Sequence, residues 1–325
     1  MLSMATTCEL PCCGEEVEPP LEGGRRCSRC RSTSYCGAEH LRRDWTRHRA
    51  TCGLPYRVAQ LPGVGRGLVA SRALEQGELV ISELPVLTVS GDRKVTRLIN
   101  KFKELSEEKK SMLLGLSDQG EANTSFDHLC LEGDELKVAR KFAANALSVG
   151  DGDMAVFEII SYINHSCAPN VLWVAGEDMM STEVRTCRKV EKGEELVASY
   201  FRLDEFPLRQ ERLERIARER FFQCVCHLCS LDGDKLFEDE DLRTQIRKLS
   251  DDLNHQDASV AFKAAETKLT LMEKMEDSVE VLLPEVLLEC HRLAVLAGEE
   301  EKAVRYRERG LALATLLGQE YAAGE

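Results

Sequence analysis

No window of this 325-residue chain approaches eighteen uninterrupted apolar residues, so no membrane-spanning helix is expected. The opening residues, Met1-Leu2-Ser3-Met4-Ala5-Thr6-Thr7, lack both the basic start and the apolar stretch of a secretory signal. The expected compartment is therefore the nucleus or the cytosol, where thiols stay reduced. Positive charge is scarce as well. With 43 Lys and Arg against 56 Asp and Glu, the net charge is −13. That disfavours general nucleic-acid binding, which is driven by basic surface, and suits a basic protein segment as partner.

What is present is cysteine. A chain that is 43% hydrophobic and 30% charged reads as a soluble globular protein with one large core or two to three smaller ones. In a reducing compartment its 14 cysteines read as a metal inventory, not a disulfide framework. Cys8, Cys12, Cys13, Cys27, Cys30, Cys36 and Cys52 crowd the N-terminus, and Cys224, Cys226 and Cys229 form a second group. Cys130, Cys187 and Cys290 stand alone as core or surface thiols. The N-terminal group is locally basic, with Arg25, Arg26, Arg29, Arg31, Arg42, Arg43, Arg47 and Arg49.

The N-terminal stretch has too few large aliphatics to build a core and needs metal to fold. Cys27-x2-Cys30, Cys36-x3-His40 and His48-x3-Cys52 carry ligand spacings, the last placing both ligands on one helical face. Cys8 with Cys13 makes a fourth pair, so eight ligands and two zinc ions are expected. The later triplet cannot close a tetrahedral site alone. Cys167, in Asn164-His165-Ser166-Cys167, is the expected fourth ligand of a third zinc.

Between these groups, Gly63 to Ala70 reads as a glycine-rich turn into a strand, and Gly77 to Glu83 as a turn feeding a second. Helical spacing runs from about Val95 to Leu116 and from Leu136 to Leu147, with a polar loop from Ser117 to Glu135 between them. Short strands are expected at Val171–Val174, Ser181–Cys187 and Glu195–Ala198. From Leu236 onward helix follows helix. Val286 to Leu317 reads as a hairpin broken at Ala297-Gly298, and its small/large spacing partly fits a tetratricopeptide-type (TPR-like) repeat.

The series Cys27, Cys30, Cys36, His40, His48, Cys52, with Tyr35 and Trp45, resembles a MYND zinc finger. The resemblance implies cross-bracing: Cys8, Cys13, Cys36 and His40 on one ion, Cys27, Cys30, His48 and Cys52 on the other. It departs from the family in having His40 where cysteine is usual, and in a wider first pair, so that Cys12 is an alternative to Cys13. MYND fingers generally bind short, often proline-rich peptides.

Gly65-Arg66-Gly67-Leu68, Asn164-His165-Ser166-Cys167-x-Pro169-Asn170, Gly193-Glu194-Glu195-Leu196-x2-Ser199-Tyr200 and Phe222-x-Cys224-x-Cys226-x2-Cys229 resemble a SET domain with its post-SET cysteines. The combination resembles the SET-and-MYND (SMYD) family of protein-lysine methyltransferases. It implies an α+β fold: a SET-type β-rich catalytic domain with inserted helices, an N-terminal finger and a C-terminal all-α region. The corresponding segments are 1–53 for the finger, 56–205 for the SET domain with an insertion at about 93–148, 206–232 for the post-SET segment and 233–325 for the helical tail.

By the same resemblance the cofactor is S-adenosylmethionine. Gly65 and Gly67 would let backbone approach it, with Leu68 completing the motif, and Arg66 would meet its carboxylate. Asn164, His165 and Asn145 would hold its adenine and amino-acid ends, and Phe222 would stack on the adenine. Tyr200 would orient the lysine amine and the methyl group, with water as the proton sink, because a free tyrosine pKa near 10 makes a poor base. The alternative is a catalytically silent SET-MYND adaptor that recruits partners.

Overall fold

The computed structural model describes residues 6–8, 13, 16–17, 25–28 and 34–319, except 92–93, 119–125, 127–130, 151, 177–179 and 276–279. It divides into two compact units, residues 1–74 with 190–195 and residues 75–189 with 196–325.

In the first unit, β1 (Thr6–Thr7) pairs antiparallel with β2 (Glu16–Val17), and β3 (Arg25–Arg26) with β4 (Ser34–Tyr35). Two-residue ribbons are not stable by themselves. They lie beside α1 (Ala38–Thr51), and the small core around them is Cys8 and Tyr35, with Cys13, Cys36 and Leu41 packed against it. Buried Tyr35 donates its hydroxyl to Asp44 Oδ2 at 2.7 Å, fastening β4 to α1. An antiparallel hairpin follows, β5 (Tyr56–Leu61) and β6 (Gly65–Ala70), with Leu61 opposite Gly65. Gly65 has a φ of +87°, a value that side chains resist, so glycine here serves the turn itself.

The second unit holds two three-stranded sheets and a parallel strand pair. β7 (Leu79–Glu83) pairs with β13 (Thr182–Thr186), which pairs with β12 (Val171–Ala175), all antiparallel. β8 (Leu87–Val89), β10 (Met154–Val156) and β9 (Leu147–Ser148) form the second sheet in that order. β11 (Asn164–His165) runs parallel to β14 (Glu195–Ala198), Asn164 opposite Val197 and His165 opposite Ala198. Helices α2 (Lys94–Glu104), α3 (Glu107–Leu114) and α4 (Gly133–Asn145) pack through Leu98, Phe102, Leu113, Val138 and Phe142. Helix α4 opens at Gly133, inside the stretch read from sequence as loop; most of that stretch lies outside the described residues.

Helix α5 (Arg209–Arg220) has no forecast in the sequence, because buried Arg212 stands where periodicity reads a solvated charge. It ends at Phe221, whose φ of +60° turns the chain toward the cysteine triplet. The tail is helical as expected: α6 (Gly233–Lys248), α7 (Ser250–Leu253), α8 (Ala258–Met272), α9 (Leu283–Leu296) and α10 (Glu300–Leu317). The last two form the hairpin read at Ala297-Gly298, and their core with α8 includes Phe262, Met272, Leu287 and Cys290. Left-handed Gly318 closes α10 against β13: a Cβ there would lie 2.6 Å from Arg185 Nε. Among the described residues no helix is long and apolar enough to cross a membrane.

Candidate functional site

Three groups of ligand atoms converge, each within 4.8 Å. In the first unit Cys8, Cys13, Cys36 and His40 meet, and Cys27, His48 and Cys52 meet separately. Cys30 and the alternative Cys12 lie outside the described residues. In the second unit Cys167 meets Cys224, Cys226 and Cys229. The sulfur separations are 3.7 Å for Cys13–Cys36, 3.7 Å for Cys27–Cys52 and 3.6 Å for Cys167–Cys229. Sulfurs at about 2.3 Å from a tetrahedral zinc stand about 3.8 Å apart, so the donor sets fit zinc in both chemistry and spacing.

The third group sits inside a core. Cys167, Cys224 and Cys229 are buried with Ile216 of α5 and Leu228, and Phe201 and Phe222 pack against them. Behind it, fully buried Arg212 donates to Pro207 O at 2.8 Å and Leu228 O at 3.4 Å, and lies 3.7 Å from Asp239 Oδ2. Arg243 of α6 donates its Nε to the same carboxylate oxygen at 2.8 Å. One carboxylate thus joins two buried guanidinium groups and ties α5 to α6 beside the cysteines.

His165 links this group to Tyr200. The Tyr200 N–H donates to His165 Nδ1 at 3.0 Å, and His165 Nε2 lies 3.3 Å from Cys167 Sγ. Nδ1 accepts, so Nε2 carries the proton and points it at the sulfur. Burial pushes the His165 pKa down to about 4, with Cys226 opposing and the Arg220 charge adding to the shift, which favours the neutral ring. The rings of Tyr200 and Phe222 stand 5.2 and 6.1 Å from it.

Tyr200 faces a narrow cleft, also lined by Asn145, Ile160, Ile163, Trp173 and Arg220. The Tyr200 hydroxyl donates to Ile163 O at 2.7 Å. The Asn145 side chain donates to Ser117 O and Lys141 O, both at 2.7 Å, so its carbonyl oxygen is the part left to face a ligand. Arg220, the last residue of α5, donates to Ala143 O at 3.2 Å and stands 5.4 Å over the Tyr200 ring.

Of the site residues read from sequence, Asn145 and Tyr200 line this cavity, and Asn164, His165 and Phe222 lie in the same unit. Gly65, Arg66, Gly67 and Leu68 lie on β6 in the first unit, Arg66 exposed and Leu68 buried. Trp173, Ile163 and Arg220 carried no motif. Nothing in the arginine-rich sequence of α5 singled out Arg220. The lone thiols Cys187 and Cys290 are buried and pushed up to about 12, chiefly by burial, which makes them inert. Cys130 and His128 lie outside the described residues. His255 Nδ1 accepts from Asp257 N–H, and His291 Nδ1 meets Ala303 O, both at 3.0 Å.

A SET domain family model matches residues 65–201, and a MYND finger model matches residues 8–52. N-lysine methyltransferase SMYD2-B of Danio rerio is 24% identical over 286 residues, 84% of this chain and 61% of its own length. N-lysine methyltransferase SMYD2 of Homo sapiens is 26% identical over 243 residues, 71% of this chain and 52% of its own. Histone-lysine N-methyltransferase set5 of Schizosaccharomyces pombe is 25% identical over 268 residues, 78% of this chain and 76% of its own. The chain thus spans between half and two thirds of the length of these SMYD2 relatives.

Proposed function

We propose that this chain, with its SET and MYND finger matches and its similarity to SMYD2 methyltransferases, is a SET-and-MYND (SMYD) family S-adenosylmethionine-dependent protein-lysine N-methyltransferase acting on histone or non-histone proteins. The observation that carries this reading is the Tyr200 cavity, with an oriented hydroxyl at one wall and the Cys167 centre linked to it through His165. When bound, S-adenosylmethionine supplies an electrophilic methyl group. The second-unit residues that would hold it are Asn145, Asn164, His165 and Phe222, with Arg220 as a cation for its carboxylate.

The chain's own work is mostly positioning. Ile163 O fixes the direction of the Tyr200 hydroxyl, which is thereby oriented toward the incoming amine. Trp173, Ile160 and Ile163 exclude water from the channel. Trp173 also borders a second, more open cavity of about 680 Å³, lined by Leu172, Phe201, Leu203, Leu282 and Glu285. Ser199 and Phe201 face that cavity while Tyr200 faces the first. The residues flanking the target lysine would lie there, and Glu285 suits a basic segment. The finger, with two metal groups and a basic α1, is the part that recruits partners through short peptides.

Purified zinc-loaded protein incubated with labelled S-adenosylmethionine and a panel of histones and cell proteins tests the reading. Label should appear on lysine, and Tyr200→Phe should abolish it while cofactor affinity stays within about threefold. Measurable cofactor binding with no transfer to any protein would favour the silent adaptor instead.

A further inference from the structure

The wall of the Tyr200 cavity is held from outside by a residue that no motif singled out. Glu83 is the last residue of β7, where its backbone pairs with Thr182 of β13. Its carboxylate reaches across to a different segment and accepts three consecutive backbone N–H groups. Glu158 N–H donates to Oε1 at 2.7 Å; Ile159 N–H is shared between Oε1 at 3.0 Å and Oε2 at 3.2 Å; Ile160 N–H donates to Oε2 at 2.9 Å. These amides open the 3₁₀ turn Ile160–Tyr162, and the first N–H groups of a helical turn have no acceptor within it. One carboxylate satisfies all three.

The turn leads straight to the chemistry. Ile160, Ser161 and Ile163 line the cavity, and the Ile163 carbonyl receives the Tyr200 hydroxyl. Asn164 and His165 follow immediately on β11. We propose that Glu83 is a positioning residue for methyl transfer: by clamping residues 158–160 it sets where Ile163 O stands, and thereby where the Tyr200 hydroxyl points. Glu83 touches neither cavity nor ligand; it acts only through the turn. Burial raises its pKa above the ordinary glutamate range while the three N–H groups hold it down, which is what a desolvated structural carboxylate shows.

The inference rests on the methyltransferase reading, so its test has an arm that does not. In the wild-type protein, hydrogen exchange at the amides of Glu158, Ile159 and Ile160 is expected to be slow. In Glu83→Ala it should speed up by about tenfold or more at those three positions, with α8–α10 unchanged. In turnover, Glu83→Ala should lower kcat about tenfold or more, because a small misplacement of the hydroxyl is enough, with cofactor KM within about threefold. Glu83→Gln, which keeps one acceptor oxygen, should recover part of kcat, and Glu83→Leu none. Should Glu83→Ala fail to fold, the Gln and Leu pair carries the same comparison. Fast exchange at the three wild-type amides, or kcat within twofold of wild type in Glu83→Leu, would overturn the proposal. Absence of transfer by the wild type, with the exchange pattern as expected, would sink the methyltransferase reading and would overturn the kinetic role of Glu83 with it, while leaving the clamp itself in place.

Discussion

The N-terminal finger and the Cys167 centre use the same ligand chemistry for different ends. The finger's β-ribbons are two residues long, and among its described residues the hydrophobic cluster is small, built on buried Cys8 and Tyr35. Metal there replaces a core. The Cys167 group is the reverse case: it is embedded among Ile216, Leu228, Phe201 and Phe222, and backed by the Arg212–Asp239–Arg243 network. Metal there would add to packing that already exists, beside Phe222 and His165, whose Nε2 lies 3.3 Å from Cys167 Sγ. The difference sets a ligand group that stands in for a core against one placed within a core.

The sharpest way to break that comparison is to remove the metal. Structural zinc contributes on the order of 10–16 kcal/mol to folding of isolated finger peptides. A chelator should therefore abolish the ordered structure of the finger, read as lost exchange protection in α1, while α8–α10 keep theirs. Cys226→Ser should weaken cofactor binding about tenfold or more and leave α1 protected, and Cys36→Ser should do the opposite. Unchanged cofactor affinity in Cys226→Ser would mean that the third zinc does not shape the pocket.

A smaller effect tests the packing behind the third centre. Asp239→Ala leaves two buried guanidinium groups without their shared carboxylate and should cost about 3–5 kcal/mol, measured by denaturant unfolding. In the finger the matching polar contact is Tyr35 to Asp44, and Tyr35→Phe should cost about 1–3 kcal/mol of finger stability. If the finger loss exceeded the Asp239 loss, side-chain packing would matter more in the finger than its small core implies.

The smallest effect is a control on exposed charge. The Arg202 side chain is 76% exposed and its pair with Asp204 lies on the surface, so Arg202→Ala should change stability by less than about 1 kcal/mol. The hydrogen bond and charge of Arg202 hold the Asp204 carboxyl below its usual range. A depressed carboxylate stabilises the fold above its unfolded pKa. The small contribution should thus be present above about pH 3.8 and disappear as pH falls through the folded value.

Much of the site was legible because metal ligands and their spacing are local. Cys224, Cys226 and Cys229 announce three quarters of a tetrahedron, and the shortfall points to Cys167 before any fold is known. Helices α9 and α10 were legible for the same reason, periodicity on both sides of one glycine. Arg220 and Glu83 were not. A charged residue reads as solvated surface until the partner that desolvates it is placed. The partner of Arg220 is the carbonyl of Ala143, and those of Glu83 are amides at 158–160. Arg212 hid α5 in the same way, as a charge on the face that periodicity sends to water.

The sequence by itself determined where cysteines and histidines gather at metal-ligand spacing, which tyrosine follows the Gly-Glu-Glu-Leu turn, and that the tail is helical. These depend on residue type and short-range spacing. Only the tertiary structure decided that His165 joins Cys167 to the Tyr200 backbone, that Ile163 O aims the Tyr200 hydroxyl, and that Asp239 binds two buried arginines. Each of those depends on a hydrogen bond or an ion pair between segments apart in the chain, whose strength comes from water being excluded once the fold has closed around it.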